Sequence, residues 1–532
     1  MTEPRWLRVV GNDWGGLVPP EVGGWRPTIP VSVIIPAYNC QDCLEVALAA
    51  LARQTYPTEL LEVVVVDDGS EPKLELPEVR PAHCRLIRAP EHSTGWGRAN
   101  ALDAGVQLSD GEILHWLDAD LVPFPEHVEA QARWHHIAPD VVTLGYKRFV
   151  SDEVAVPAAV LPKVVAGEIE HLFPPEVTEP HDYIEEYIEE TDRLRAADHL
   201  AFRAHVGATA ALRRDLYHDC GGLDVQLRLG EDGELGYRLA QAGAVFVPEP
   251  QARSWHLGAS HAMTVGERQR RYNAPFLADR MPLPRWLRDG VRRSWEVPLT
   301  TVVVEVGDHP LELVRGCVDR LLAGNELDLR ILLVGEWDGW DDQRRRRVLA
   351  DPLLDRRLLV ATYRSEPRVA LVDAVPETVF PSPFLVRVPV GIGVSPGAVR
   401  RLVGYANAEQ VGLVRVTPPG AGPAVELWRT AAVSRARRHR AAGEPLAEAV
   451  ATVWGERWSS AGEFGLVDLF SLPVEEQVWM PPALTAPPAS TPPPPRPTVA
   501  VAGFRSLLRA GWFVIRLAVV GAWRRMRGTR DS

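Results

Sequence analysis

A chain of 532 residues is too long for one hydrophobic core, so more than one domain is expected. Its 46% hydrophobic and 24% charged residues exclude a disordered or fibrous protein. The net charge of −12 argues against nucleic acid as a main partner, because phosphate binding needs a basic surface. Five scattered cysteines (Cys40, Cys43, Cys84, Cys220, Cys317) read as reduced thiols, and the pair Cys40 and Cys43 has no second pair to complete a zinc site.

Residues 1–30 read as an N-terminal extension without the apolar stretch of a signal peptide, so a cytoplasmic location is expected. "VSVII" (31–35), ended by Pro36, reads as a buried parallel strand. "CLEVALAALARQ" has Leu44, Leu48 and Leu51 at helical spacing, and "LEVVVVDDGS" (61–70) is a strand running into a turn. "GRANALDAGVQLSDG" is helical up to Gly111. Then "EILHWLDAD" makes a strand, "FPEHVEAQARWHHIA" a helix and "DVVTLGY" another strand. This alternation predicts an α/β fold with a mostly parallel sheet, its ligands lying outside the carboxyl ends of the strands. Tyr38 with Asn39, Asp67 with Asp68, and Asp118 with Asp120 all fall at those ends.

The pair Asp118 and Asp120 poses a chemical problem. Read as extended chain, residues two apart point to one side, so two carboxylates share one space. A hard divalent ion, Mg²⁺ or Mn²⁺, would neutralise them and share oxygen ligands with a substrate phosphate. A solvated turn is the plainer reading of the dipeptide alone.

The wider pattern decides between them. "VSVIIPAYN", "VVVVDDGS", "GRANALDAG", "LDAD", "GEDGELGYRLAQAG" and "WHLG" come in the order and approximate spacing of the family 2 glycosyltransferases of the GT-A fold, which residues 31–258 resemble. The last two stretches resemble the carboxy-terminal catalytic part of chondroitin-synthase-like and polypeptide N-acetylgalactosaminyltransferase-like enzymes. The resemblance implies that Pro36, Tyr38, Asn39 and Asp68 hold the nucleoside of a nucleotide sugar, with uridine the expected base. It implies that Asp118 faces the ribose and Asp120 the metal. Arg98, in a glycine-rich turn before a helix, is placed to meet the diphosphate. Glu231 and Asp232 open a helix, where carboxylates are favoured; the family's Glu-Asp makes Asp232 the general base. His256 falls where relatives supply a further metal ligand, a buried structural histidine being the alternative. The family's reaction inverts the anomeric carbon. "DYIEEYIEETDRLRAADHL" (182–200) reads as an amphipathic helix with a solvated acidic face.

The catalytic part is taken as residues 31–290, and residues 297–478 read as a second, degenerate GT-A-like domain. Val302, Gly391 and Leu413 stand at a constant offset from Val31, Asp120 and Val142. The second copy has Pro389 and Gly391 in place of the aspartates. Residues 481–497, "PPALTAPPASTPPPPRP", predict an extended spacer. In 498–532, Arg505, Arg509, Arg516 and Arg527 fall within about 40° of one another on a helix. That arrangement suits a helix lying on anionic lipid, so peripheral attachment to the inner face of the plasma membrane is expected. The sequence thus points to a metal-dependent glycosyltransferase acting on a cell-envelope or capsular glycan or a lipid-linked acceptor. A non-catalytic glycan-binding scaffold and a sugar nucleotidyltransferase are the competing readings. The second would want a glycine-rich, lysine-bearing loop that "PAYNCQDC" lacks.

Overall fold

The computed structural model describes residues 9–259, 261–288, 294–337, 347–420, 422–473 and 477. The expected spacer and tail helix lie outside them. The first sheet contains β1 (Val31–Ala37), β2 (Leu61–Asp67), β3 (Cys84–Arg88), β4 (Ile113–Leu117), β5 (Leu121–Pro123), β6 (Val141–Val150), β7 (Thr178–Pro180), β8 (Thr209–Arg213) and β9 (Val245–Leu257). The strand order is β3-β2-β1-β4-β8-β6-β9-β5, with β7 beside β6. β1 runs parallel to β2 and β4, and β6 parallel to β9; β8 lies antiparallel between β4 and β6. This is the expected mostly parallel GT-A arrangement.

Side-chain alternation along β1 and β2 explains the layers. Val33, Ile35, Val63 and Val65 pack with Leu44 and Leu48 of helix Gln41–Leu51. Ile34, Val64 and Val66 face the other way, against Ala101 and Leu102 of helix Arg98–Gln107. A side chain at Gly105 would collide with Ile34, so glycine there lets this helix lie close on β1. The helix's first residue, Arg98, is thereby delivered to the strand ends.

In the second half β14 (Ile392–Val394) and β18 (Leu466–Asp468) pair antiparallel in a small sheet of their own, and the second main sheet contains β10 (Thr300–Glu305), β11 (Leu329–Val334), β12 (Val369–Val372), β13 (Phe384–Arg387), β15 (Leu413–Thr417), β16 (Val425–Arg429) and β17 (Glu456–Ser460). Its order, β12-β11-β10-β13-β16-β15-β17, repeats β3-β2-β1-β4-β8-β6-β9 strand for strand, with the matching parallel and antiparallel senses. The loops match too: the Leu257 amide donates to the Asp120 carbonyl at 2.9 Å, and the Leu469 amide to the Gly391 carbonyl at 2.8 Å. At φ +95° Gly391 adopts a left-handed conformation, and a Cβ there would strike the ring of Phe470. An aromatic ring thus fills the space that the Asp120 carboxylate has in the first half.

The joint expected between 290 and 297 separates two sheets but not two cores. Leu235, Tyr237 and Phe246 belong to one apolar cluster with Leu299, Val302, Phe384 and Leu427. The Tyr237 hydroxyl donates to the Pro381 carbonyl at 2.5 Å. Buried Arg435, on helix Thr430–His439, donates to the carbonyls of Gly243 (2.8 Å), Ala244 (3.2 Å), Val9 (2.6 Å) and Gly11 (3.1 Å). Gly243 and Ala244 follow the helix Glu231–Gln241, so the second half holds the turn that ends that helix. Among the described residues no helix is long and apolar enough to cross a membrane.

Beneath the sheet lies a buried polar layer. The Gln131 amide nitrogen is 3.2 Å from His115 Nε2 and 3.1 Å from His127 Nε2, and His135 Nε2 is 3.3 Å from the Thr143 hydroxyl. Burial pushes all three histidines down: His115 well below its ordinary value, His127 to about 4 and His135 to about 3. Below about pH 6.5 the unfolded chain therefore binds protons that the folded one refuses, and stability falls as pH drops toward these values. By pH 5 the loss should be roughly 2 kcal/mol for each of the three. Thermal melts at pH 7 and pH 5 check this, and equal midpoints would contradict it.

Candidate active site

The strand ends gather the expected residues in two groups. Pro36 lies within β1, and Tyr38 and Asn39 follow it. Asn39, at φ +50°, accepts the Glu71 amide on its side-chain oxygen at 3.0 Å, and its own amide donates to the Ser70 hydroxyl at 2.9 Å. It staples two loops together. Asp67 spends Oδ1 on the amides of Gly69 and Ser70 (3.2 and 2.7 Å), which builds the turn. Asp68 is buried: Oδ2 accepts the Gly97 amide at 2.8 Å, while Oδ1 has no partner. Beside it stand two exposed rings, Tyr38 and Trp96, edge to face with centroids 5.8 Å apart. A flat heterocycle with one N–H fits such a slot. Trp96 was not singled out in the sequence; only its exposure marks it.

Arg98 is the centre of the second group. Its guanidinium donates to Asp118 Oδ1 (Nε 3.0 Å, Nη2 2.9 Å) and to Glu231 Oε1 (3.1 Å), and also reaches the Gly207 carbonyl. Burial acts to lower its pKa, and Asp118, Glu231 and Asp232 overcome that and raise it. Burial and Asp232 push the Glu231 carboxyl up, with Arg98 opposing. Asp232 accepts the Gly233 amide at 2.7 Å and the Gly207 amide at 3.3 Å. A Cβ at Gly207 would come within 2.6 Å of Arg98 Nη1, so this glycine, also missed in the sequence, permits the approach.

Asp118 and Asp120 are not neighbours on an extended strand, as the sequence reading supposed. The Leu121 amide donates to the Asp118 carbonyl at 3.1 Å, and the turn sends the carboxylates apart, Asp118 to Arg98 and Asp120 toward His256. His256 Nδ1 is 3.0 Å from the Gly258 carbonyl, which can only accept, so Nδ1 carries the proton. In the neutral ring Nε2 then presents its lone pair, 3.6 Å from Asp120 Oδ2. Asp120 Oδ1 is buried without a partner. A carboxylate oxygen and an imidazole nitrogen side by side are ligand types that fit Mn²⁺ or Mg²⁺. Among the described residues no three acidic, histidine or cysteine side chains form a ready metal cage. Such ions often take only one or two protein ligands and complete their shell with substrate phosphates.

Lys147, on β6, completes the group and was also missed, since a lone lysine in a strand has no sequence signature. It is 6% exposed, and its electrostatic neighbours are Asp118, Asp232 and Asp120. Burial pulls its ammonium down and those carboxylates hold it up, with a net lowering.

Residues 32–219 match the family model described as glycosyl transferase family 2. The chain carries a family 2 glycosyltransferase domain. Glu231, Asp232 and His256 lie beyond the matched segment. The chondroitin synthase of Escherichia coli is 23% identical over 366 residues, covering 64% of this chain and 50% of that protein. The validoxylamine A glucosyltransferase of Streptomyces hygroscopicus subsp. limoneus is 32% identical over 130 residues, covering 24% of this chain and 29% of that one. The chain thus spans half the length or less of these curated relatives. Among solved structures, a mannosyltransferase from Pyrobaculum calidifontis in complex with GDP-Man and Mn²⁺ is 19% identical, covering 52% of this chain and 68% of that one, with a TM-score of 0.29.

Proposed function

We infer that this protein is an inverting, metal-dependent glycosyltransferase that moves a sugar from a uridine diphosphate donor to a hydroxyl of a cell-envelope glycan or lipid-linked acceptor. The observation that carries the reading is the Arg98 hub. It ties Asp118 to the first turn of the helix bearing Asp232, which supports a donor-binding aspartate and a base working at one end of the sheet. Asp68 Oδ1 accepts the uracil N–H, and Tyr38 and Trp96 enclose the ring. Asp118, oriented by Arg98, faces the ribose. Asp120 and His256 hold Mn²⁺ or Mg²⁺, which offsets the charge of the diphosphate. Asp232 takes the proton of the acceptor hydroxyl, and one direct displacement inverts the anomeric carbon. Attachment of the 498–532 tail to anionic lipid would bring the enzyme to such acceptors.

Donor hydrolysis by the full-length protein across a panel of nucleotide sugars tests this. We expect a uridine-linked donor to be consumed with Mn²⁺ and spared with EDTA. Asp120→Ala should lower turnover by roughly 10²-fold or more, since a metal supplies several kcal/mol of charge stabilisation. Near-native transfer by this variant in EDTA would sink the metal assignment.

A further inference from the structure

Lys147 holds an ammonium that the fold leaves unused. The residue is 6% exposed, yet the ammonium makes no hydrogen bond or ion pair with any described residue; the Phe149 ring lies 5.7 Å from Nζ. The carboxylates around it are engaged elsewhere. Asp118 is bound by Arg98, Asp232 accepts the Gly207 and Gly233 amides, and Asp120 turns toward His256. Nζ keeps access to solvent at the end of an otherwise buried side chain, so its three donors are open to a ligand.

Its position says which ligand. In the parallel pairing of β6 with β9, Lys147 lies opposite Ser254 and Phe149 opposite His256. The register breaks between Gly145 and Tyr146, just before Lys147, the kind of irregularity that re-aims side chains beside a site. Lys147 thus stands on the strand next to the one that carries His256, with Asp118, Asp232, Asp120 and Arg98 as its electrostatic neighbours. The protein takes none of its donors, and a phosphate oxygen is the strong acceptor that the donor substrate brings to this end of the sheet.

We propose that Lys147 is a diphosphate-binding catalytic residue, whose ammonium donates to the sugar-bearing phosphate of the donor and to that phosphate as it leaves. The proposal rests on the transferase reading above. In the step, Asp232 accepts the acceptor hydroxyl's proton and the hydroxyl oxygen bonds to the anomeric carbon. The bond from that carbon to the phosphate oxygen breaks, and its electron pair stays on the oxygen. The leaving nucleoside diphosphate thus gains one negative charge, at the atom to which Lys147 donates.

Calorimetry on the full-length protein with Mn²⁺ and inorganic pyrophosphate tests the assignment independently of the nucleoside. Lys147→Met should weaken pyrophosphate binding about 10- to 100-fold, the worth of a charge-assisted hydrogen bond, and Lys147→Arg should restore part of it. With the donor that the panel identifies, Lys147→Met should lower kcat more than it raises the donor KM. Its melting midpoint should not fall, because a desolvated charge has been removed; Lys147→Gln gives the same comparison should the methionine variant fail to fold. Pyrophosphate binding equal in native protein and variant, or absent from native protein, would overturn the assignment. If native protein turns over no nucleotide sugar while pyrophosphate binding still depends on Lys147, the transferase reading alone falls.

Discussion

Asp232→Asn should give an enzyme that binds its donor and scarcely transfers. The substitution keeps the volume and leaves an oxygen for the Gly233 amide, which the carboxylate accepts at 2.7 Å. It removes the proton acceptor, and a positioned general base contributes roughly 10²–10⁴-fold. kcat should fall by that factor while the donor KM stays within a few-fold, the pattern of an interaction made only in the transition state. Glu231, next to it, is a poor substitute because Arg98 already holds its carboxylate at 3.1 Å. Steady-state kinetics that lost less than about tenfold would assign the base elsewhere.

Arg98→Met is expected to damage stability as well as turnover. The guanidinium is shared by Asp118 and Glu231, whose side chains are 27% and 7% exposed. Removing it leaves two carboxylates facing one another across a largely dry space, with Lys147 the remaining cation nearby. Breaking such a pair from one side costs about 3–5 kcal/mol, and the partly exposed Asp118 argues for the lower end. Adding Glu231→Gln to Arg98→Met should recover part of the lost stability by removing one unpaired charge, without recovering activity. Chemical denaturation of the single and double variants measures this. A double variant no more stable than Arg98→Met would mean that Glu231 does not depend on the guanidinium.

The sequence disclosed what is local and periodic. β1 and β2 were legible because residues 31–35 and 61–66 are runs of buried branched side chains, and the helices because leucines recur at their spacing. β8 was not, since "TAALR" has little β-branched character, nor β9, which carries Pro248 and Pro250. The acidic residues of the site stood in recognisable motifs. Gly207, Trp96 and Lys147 did not, because their importance lies in what the fold brings to them. Gly207 matters for lacking a Cβ beside Arg98, and Lys147 for bringing an unpartnered ammonium among Asp118, Asp232, Asp120 and Arg98. Even the reason for pairing Asp118 with Asp120 was a property of the turn, not of residue spacing.

Arg435 bears on why the second half persists. A copy whose aspartate position is closed by Phe470 has no metal pocket for selection to preserve there. Yet the Arg435 guanidinium holds the carbonyls of Gly243 and Ala244, just past the helix that begins with Glu231 and Asp232, and the valines and leucines of this half complete the apolar cluster on which that helix rests. Loss of this half would uncover those side chains and leave those two carbonyls without their partner. A half without the metal-facing aspartate thus still has work to do, as the buttress of the half that keeps it.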